Sequence, residues 1–240
     1  MTDVLLNTRQ LVKRFGGLHA TDTVDFDLRR GELRCLIGPN GAGKSTFFKL
    51  LTGQIQPTSG KITFDGQDIT DTPTYQIARL GIGIKNQTPD VFDGLSGHEN
   101  LWLAANFSHA AVAARDQVDQ VIAQLKLAPF IHRQVGEMAH GQRQWIEIGM
   151  VMARQPSLIL LDEPSAGMSQ EERVRTADLL LELNATCTIV VVEHDMQFIK
   201  RIADIVTVFH RGKILREAHV DEIMRDPEVR DVYLGRQEVA

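Results

Sequence analysis

One short stretch carries most of the information about the fold of this 240-residue chain: Gly38-Pro39-Asn40-Gly41-Ala42-Gly43-Lys44-Ser45-Thr46. It matches the pattern G-x-x-x-x-G-K-[ST], in which glycines let backbone N–H groups approach phosphate oxygens. Lys44 would reach the β- and γ-phosphates, and the Ser45 hydroxyl would ligate Mg²⁺. The required context is present, because residues 33–37 predict a strand and residues 44–51 a helix, whose dipole also favours an anion.

A second motif follows 118 residues later, at Leu158-Ile159-Leu160-Leu161-Asp162-Glu163. Four apolar residues are typical of a strand buried on both faces of a parallel sheet. Asp162 at its end would lie beside the phosphate loop and hold Mg²⁺ through water, and Glu163 would orient and polarise an attacking water. Alone this string indicates only a solvated strand end; paired with the phosphate loop, it favours the catalytic interpretation.

Two further polar residues follow apolar segments. His194 comes after residues 188–192, a run of one threonine, one isoleucine and three valines, and Gln87 comes after residues 81–84. Either residue alone is uninformative. Since ligands of open α/β sheets bind at the carboxyl ends of the strands, we expect Gly38, Gln87, Asp162 and His194 to meet at one edge.

The rest of the chain predicts three regions. The first sixty-odd residues are β-rich, with alternation at 24–28 and an Asp-Gly turn signal after residue 64. Two helices are expected between Glu99 and about Leu127, and another from Gly141 to Arg154. The last third predicts a helix over residues 171–183 between buried strands and a closing hairpin at 205–215.

Composition excludes several classes of protein. Hydrophobic residues make up 43% and charged residues 24%, which excludes a disordered chain. The formal net charge is −5, so the chain is a poor non-specific ligand for nucleic acid. The longest apolar run, residues 148–153, is far below the ~18 residues of a membrane span, and no signal peptide is apparent. Cys35 and Cys187 lie in apolar stretches and are expected to be buried, reduced thiols.

A last motif precedes the helix that is expected to start near Arg143. Met138-Ala139-His140-Gly141-Gln142 contains a glycine turn at a helix N-terminus, which could form an anion site. Taken alone, it indicates only the start of a helix.

Together these motifs resemble the ATP-binding subunit of an ABC transporter, over essentially the whole chain. Gly38–Thr46 resembles its Walker A motif, Gln87 its Q-loop and Mg²⁺-contacting glutamine, and residues 158–163 its Walker B motif. His194 resembles the switch histidine, and Phe15 resembles the aromatic residue that stacks on adenine. Residues 138–142 resemble the signature motif, which implies that Ala139, His140, Gly141 and Gln142 contact nucleotide.

The resemblance implies an α/β P-loop NTPase of the ABC ATPase type, with an antiparallel β-subdomain and an inserted helical subdomain. One ATP-binding domain would span residues 1–240, with the nucleotide-binding core at about 1–87 and 155–240 and the helical subdomain at about 88–154. ATP and Mg²⁺ would be the cofactors. In this family two such subunits, identical or paralogous, pair head to tail, with ATP between the phosphate loop of one and the signature of the other.

Smaller segments refine the resemblance. Residues 14–18 and 232–235 resemble branched-chain amino acid importers, whereas residues 140–150 and 163–168 are closer to the ATP-binding subunits of urea importers. There are departures too. Ala139 stands where the family has a serine that contacts the γ-phosphate, residues 84–86 lack the usual Arg and Phe, and Met168 replaces the D-loop Asp, as in the urea branch.

We therefore expect an ATPase that powers import of a small polar solute, with urea favoured and branched-chain amino acids as the alternative. It would lie peripherally on the cytoplasmic face of the membrane, bound to membrane-spanning permease subunits and only indirectly linked to a substrate-binding protein, without nucleic-acid partners. A non-transport ABC ATPase is less favoured, because the chain has neither a second cassette nor a long coiled-coil insertion. A low-turnover regulatory nucleotide-binding module, suggested by Ala139, remains a third alternative.

Overall fold

The computed structural model describes residues 3–88, 90–108 and 111–234. Gly235, the last residue of the tail resemblance, lies outside the described residues. Two β-sheets and a set of helices form the structure. Within the described ranges, no helix combines the length and the apolar character that crossing a bilayer would require.

An antiparallel sheet is built from the N-terminal third of the chain. Its strands are β1 (Val4–Phe15), β2 (Leu18–Arg29), β4 (Ser59–Phe64) and β5 (Gln67–Asp68), in the order β2-β1-β4-β5. Sequence alternation predicted parts of β2 and β4 but missed β1. The register of β1 shifts between Thr8 and Leu11, and Gln10 has a φ of 50°, so the period-2 pattern is broken.

A six-stranded sheet forms the centre of the molecule. Its strands are β3 (Leu33–Ile37), β6 (Ile82–Lys85), β7 (Leu158–Asp162), β8 (Thr188–Val192), β9 (Ile205–His210) and β10 (Lys213–His219), in the order β10-β9-β3-β8-β7-β6. Strands β9, β3, β8, β7 and β6 are parallel, while β10 pairs antiparallel with β9. The predicted buried parallel strands and the closing hairpin are thus confirmed.

The helices connect and cover these sheets. They are α1 (Lys44–Leu51), α2 (Thr74–Arg79), α3 (Gly97–Ser108), α4 (Ala111–Gln124), α5 (His140–Met152), α6 (Gln170–Asn184), α7 (Met196–Ile202), α8 (Val220–Arg225) and α9 (Pro227–Leu234), with a 3₁₀ turn at Val135–Glu137. Helices α3, α4 and α5 pack against one another. Sequence patterns predicted α1, α3, α4, α5 and α6, whereas the short helices α2, α7, α8 and α9 were missed.

The start of α5 corrects one expectation. The helix begins at His140, three residues before Arg143, and ends at Met152 rather than Arg154. Ala139 is extended, with φ −60° and ψ 154°, and occupies the N-cap position. Its backbone N–H donates a hydrogen bond to Oε1 of Gln142 at 3.2 Å, and this bond stabilises the first turn of the helix. Residues 140–142 of the signature segment therefore form the first turn of the helix, while Met138 and Ala139 precede it.

Alternation along the central strands divides the core between the two faces of the six-stranded sheet. Cys35, Ile159 and Val191 point to the side where α3–α7 pack, and they belong to one buried cluster with those helices. Leu36 and Leu160 belong to a second cluster with α1 and the antiparallel sheet. Burial of both faces explains the continuous apolar runs in the sequence and leaves only the strand ends for polar chemistry.

Candidate nucleotide-binding site

The loop between β3 and α1 has a backbone that only glycine can adopt at two points. Gly38 has a φ of 147°, and a Cβ there would lie 2.1 Å from the carbonyl oxygen of Phe209 on β9. Gly43 has a φ of 108°, and its Cβ would lie 2.4 Å from the carbonyl oxygen of Ala20 on β2. Backbone atoms of both sheets therefore lie very close to the loop, and glycine at these two positions avoids a clash with them.

Lys44 and Asp162 give the loop its charges. The Lys44 ammonium donates to the carbonyl oxygens of Gly38 and Pro39 at 2.7 and 3.1 Å. Burial lowers the pKa of Lys44, although the carboxylates of Glu163 and Asp162 oppose that shift. Burial, followed by the charge of Glu163, raises the pKa of Asp162, while Lys85, Lys44 and a hydrogen bond from Ser45 lower it. The Ser45 hydroxyl and the Asp162 carboxylate are thus adjacent, as the sequence predicted.

Glu163 lies between two other residues that the sequence singled out. Its Oε2 accepts a hydrogen bond from Nε2 of Gln87 at 2.7 Å, and its Oε1 lies 3.6 Å from Nδ1 of His194. Glu163 also has a φ of 47°, a left-handed conformation that is uncommon outside glycine and clusters at functional sites. The hydroxyl of Tyr233 on α9 donates to the carbonyl oxygen of His194 at 2.8 Å.

An open cavity of about 940 Å³ lies beside the phosphate loop and extends to Gln87 and Glu163. Predicted residues that line it are Phe15, Asn40, Gly41, Ala42, Gly43, Lys44, Ser45, Thr46, Gln87 and Glu163. Phe15 is exposed at the end of β1, with the ammonium of Lys13 5.1 Å from its ring centroid. The cavity wall also includes Leu18, His19 and Arg211, which no sequence motif predicts. Arg211 stood in the predicted hairpin turn, but a turn signal carries no information about a ligand.

The signature segment does not line this cavity. Ala139 and His140 are exposed at the start of α5, where Nε2 of His140 lies 3.1 Å from the carbonyl oxygen of Ala166. A Cβ on Gly141 would lie 2.3 Å from Oε1 of Glu172, so α5 and α6 approach closely at this glycine. The structure therefore brings together the phosphate loop, Gln87, Asp162, Glu163 and His194. Residues 139–142 lie outside this cavity, with Ala139 and His140 exposed and Gly141 buried.

The fold and the site geometry define a P-loop ATPase of the cassette type, and comparison with known proteins gives its family. The ABC transporter family model matches residues 21–166, and the chain belongs to this family. LivG of Salmonella typhimurium, a high-affinity branched-chain amino acid transport ATP-binding protein, is 34% identical over 98% of this chain and 99% of its own length. BraF of Pseudomonas aeruginosa, which has the same description, is 32% identical over the same shares.

A solved structure gives the same assignment. It is the ADP conformation of an ATP-binding cassette from an ABC transporter, 28% identical, with a TM-score of 0.87 over 97% of this chain and 99% of that one. The predicted fold class is therefore confirmed. The chain is the ATP-binding subunit of an ABC transporter, an ATPase whose hydrolysis is coupled to transport.

Proposed function

We propose that this ATPase powers the import of branched-chain amino acids. The cluster of Gln87, Glu163 and His194 beside the phosphate loop supports hydrolysis, and the full-length relatives LivG and BraF support the solute. Sequence segments favoured urea, but the relatives favour the alternative. Urea stays as the competing solute on one observation, the resemblance at residues 140–150 and 163–168.

Transport by the assembled system separates the two solutes. The chain is reconstituted in proteoliposomes with membrane-spanning subunits and a solute-binding protein from the same organism. We expect ATP-dependent uptake of radiolabelled leucine and no uptake of labelled urea, with the Glu163→Gln chain as the inactive control. Uptake of urea alone would reverse the assignment of the solute, whereas uptake of neither would disprove both.

We assign roles to the site residues as follows. The backbone of the phosphate loop and Lys44 hold the phosphates, and Phe15 stacks on the adenine. Ser45, Asp162 and Gln87 hold Mg²⁺; one carboxylate with a hydroxyl and an amide suits this ion, which also takes phosphate oxygens and water. Glu163 polarises the attacking water, and His194 contacts the γ-phosphate.

Ala139 and His140 of the signature segment are exposed, and their position indicates how the site is completed. Ala139, His140, Gly141 and Gln142 lie outside the phosphate-loop cavity, at the N-terminus of a thirteen-residue helix whose dipole favours an anion. We propose that they contact the ATP held by a second ATP-binding subunit, identical or paralogous, in a head-to-tail dimer. One chain then carries two anion sites that serve two different nucleotides.

A second cavity, of about 450 Å³, offers a place for the permease subunits. It lies between β6 and helices α2, α3 and α5, and its apolar rim includes Phe92 and Phe107, both more than half exposed. We propose that residues 88–154 form the helical subdomain and that membrane-spanning subunits dock here, which holds the chain on the cytoplasmic face of the membrane. The substrate-binding protein is reached only through them, and no nucleic-acid partner is proposed.

Replacing Ala139 with serine is expected to raise kcat without changing ATP affinity of the isolated chain. The hydroxyl would add a γ-phosphate donor across the dimer, where one preorganised donor is worth up to ~10²–10³ in rate in other enzymes. Because residue 139 is also the N-cap of α5, serine should stabilise the chain by about 0.5–2 kcal/mol. Steady-state ATPase activity of the assembled transporter and thermal melting of the isolated chain measure the two effects separately.

The matched control is Ala139→Gly, which changes the same position without adding a hydroxyl. It should leave kcat near the wild-type value. An unchanged or lower kcat in Ala139→Ser would mean that this position does not limit γ-phosphate stabilisation, and that neighbouring groups such as His140 already compensate.

A further inference from the structure

An ion pair with no assigned role lies beneath the segment that carries Gln87. Lys85, the last residue of β6, and Glu147 on α5 have side chains that are 0% and 5% exposed. Their Nζ and Oε2 atoms are 3.6 Å apart. Lys85 is two residues before Gln87, and Glu147 is seven residues, about two helical turns, after the start of α5.

The Glu147 carboxylate holds the Gln87 segment on both sides. On the N-terminal side it pairs with Lys85, whose Nζ also donates to the carbonyl oxygen of Asn86 at 2.8 Å. On the C-terminal side its Oε1 accepts a hydrogen bond from the backbone N–H of Asp90 at 3.1 Å. Residues 85 and 90 are therefore tied to one carboxylate, with Gln87 between them.

Each residue of the Lys85–Glu147 pair is connected to a different part of the proposed nucleotide site. Gln87 donates to Glu163 at 2.7 Å beside the phosphate loop. Glu147 belongs to the same helix whose first turn is residues 140–142, and a hydrogen-bonded helix of thirteen residues moves as one body. A displacement of α5 would therefore shift residues 85 and 90 and, with them, the Gln87–Glu163 contact.

Stability alone does not account for the pair. Buried ion pairs often contribute no more than apolar side chains of the same size, because both charges lose their hydration. The Lys85 and Glu147 side chains are almost fully enclosed, so both charges have lost most of their hydration here. Oε2 of Glu147 also accepts no hydrogen bond from the described residues. A buried pair that joins two segments of the nucleotide site fits a positioning role.

We propose that Lys85 and Glu147 are positioning residues that couple Gln87 to the signature end of α5. They fix the position of the Gln87–Glu163 contact relative to residues 139–142. Glu163, which polarises the water, and residues 139–142, which contact the second subunit, then act in the same step. The inference rests on the roles proposed above for Gln87, Glu163 and the signature.

The test uses the full chain assembled with its membrane subunits and measures kcat, KM for ATP and the melting temperature. The variants are Lys85→Met, Glu147→Gln and their double mutant, with Lys85→Arg as the conservative replacement. We expect each single variant to lower kcat at least tenfold with KM within twofold of wild type. The double mutant should be no slower than the slower single variant, because both break one link, and Lys85→Arg should recover most of the rate.

Arg34→Met is the matched control, because Arg34 on β3 is 4% exposed and forms an ion pair with Glu32 at 2.5 Å, outside the site. It should lower the melting temperature and leave kcat unchanged. Should Lys85→Met fail to fold, Glu147→Asp, shorter by one methylene, is expected to lower kcat in a folded protein. Single variants with kcat within twofold of wild type, or effects that multiply in the double mutant, would refute the coupling.

The same preparations separate this inference from the site assignment on which it rests. If Glu163→Gln still hydrolyses ATP, the assignment of the site fails, and the coupling fails with it. If Glu163→Gln is inactive while Lys85→Met retains the wild-type kcat, only the coupling is refuted.

Discussion

Glu163→Gln is expected to keep ATP binding and to lose hydrolysis by about 10²–10⁴-fold, the usual contribution of a general base. The amide has the same shape and can still accept the hydrogen bond that Gln87 Nε2 gives to Oε2 of Glu163 at 2.7 Å. It cannot take a proton or stabilise a polarised water. The loss should therefore appear in kcat and not in the dissociation constant for ATP.

Single-turnover hydrolysis and binding of a fluorescent ATP analogue measure these two quantities. The matched control is Glu182→Gln, an exposed carboxylate on α6 whose contact with Lys126, at 3.9 Å, lies outside the site. It should hydrolyse ATP at the wild-type rate. With hydrolysis blocked, the Glu163→Gln chain should accumulate as a dimer in ATP, visible by size-exclusion chromatography. Hydrolysis at the wild-type rate would exclude Glu163 as the base.

His194→Ala should slow turnover as well, because Nδ1 of His194 lies 3.6 Å from Oε1 of Glu163. Turnover of the assembled transporter measures the effect, with ATP affinity of the isolated chain expected to stay unchanged. If the His194→Ala variant keeps the wild-type turnover, His194 has no catalytic role and is only a residue that follows a strand.

The central part of the site was predictable because it depends on motifs at strand ends. Apolar runs identified β3, β7 and β8, and parallel strands necessarily bring their carboxyl ends to one edge. Gln87 and His194 could be predicted as site residues only from this shared edge, since neither residue type alone indicates a function. Their meeting around Glu163 follows from the strand order β3-β8-β7-β6, which the apolar runs in the sequence do not give.

Other parts depended on contacts that sequence patterns do not record. β1 was missed because its register shifts hide the alternation. Leu18 and Arg211 reach the cavity only because β1–β2 and β9–β10 hairpins lie beside the phosphate loop, with the N–H of Asp22 bonded to the carbonyl oxygen of Gly212. The buried partner of Lys85 is 62 residues away, and no local pattern connects a lysine to a glutamate at that separation.

The identity of the transported solute is a separate question from the identity of the nucleotide site. The segments that favoured urea, residues 140–150, include the first turn of α5, and residues 163–168 follow β7. Residues 140–150 include Glu147 and Met150 of the cavity proposed for the permease subunits, and residues 163–168 begin beside the phosphate loop. Neither segment would touch the transported molecule. Similarity over the whole chain weighs more than either segment, which is why LivG and BraF favour branched-chain amino acids.

Lys44→Ala is expected to abolish tight ATP binding. Lys44 is the one side-chain cation that the phosphate loop itself supplies, and its ammonium lies within hydrogen-bonding distance of the carbonyl oxygens of Gly38 and Pro39. Burial lowers its pKa, so the charge is held in a partly desolvated place where a triphosphate would interact with it strongly. Alanine removes this charge and leaves the backbone donors, which fix the loop geometry but carry no net charge.

Thermal melting with and without Mg²⁺ and ATP measures the loss. At a hundredfold excess over Kd, bound ligand stabilises a folded protein by about 2.7 kcal/mol, which corresponds to about 5–10 °C for a chain of this size. Wild type should show that shift, and Lys44→Ala nearly none. Lys49→Ala is the matched control, because Lys49 is exposed in the last turn of the same helix, and it should keep the wild-type shift. Equal shifts in Lys44→Ala and wild type would mean that residues 38–46 are not the phosphate site.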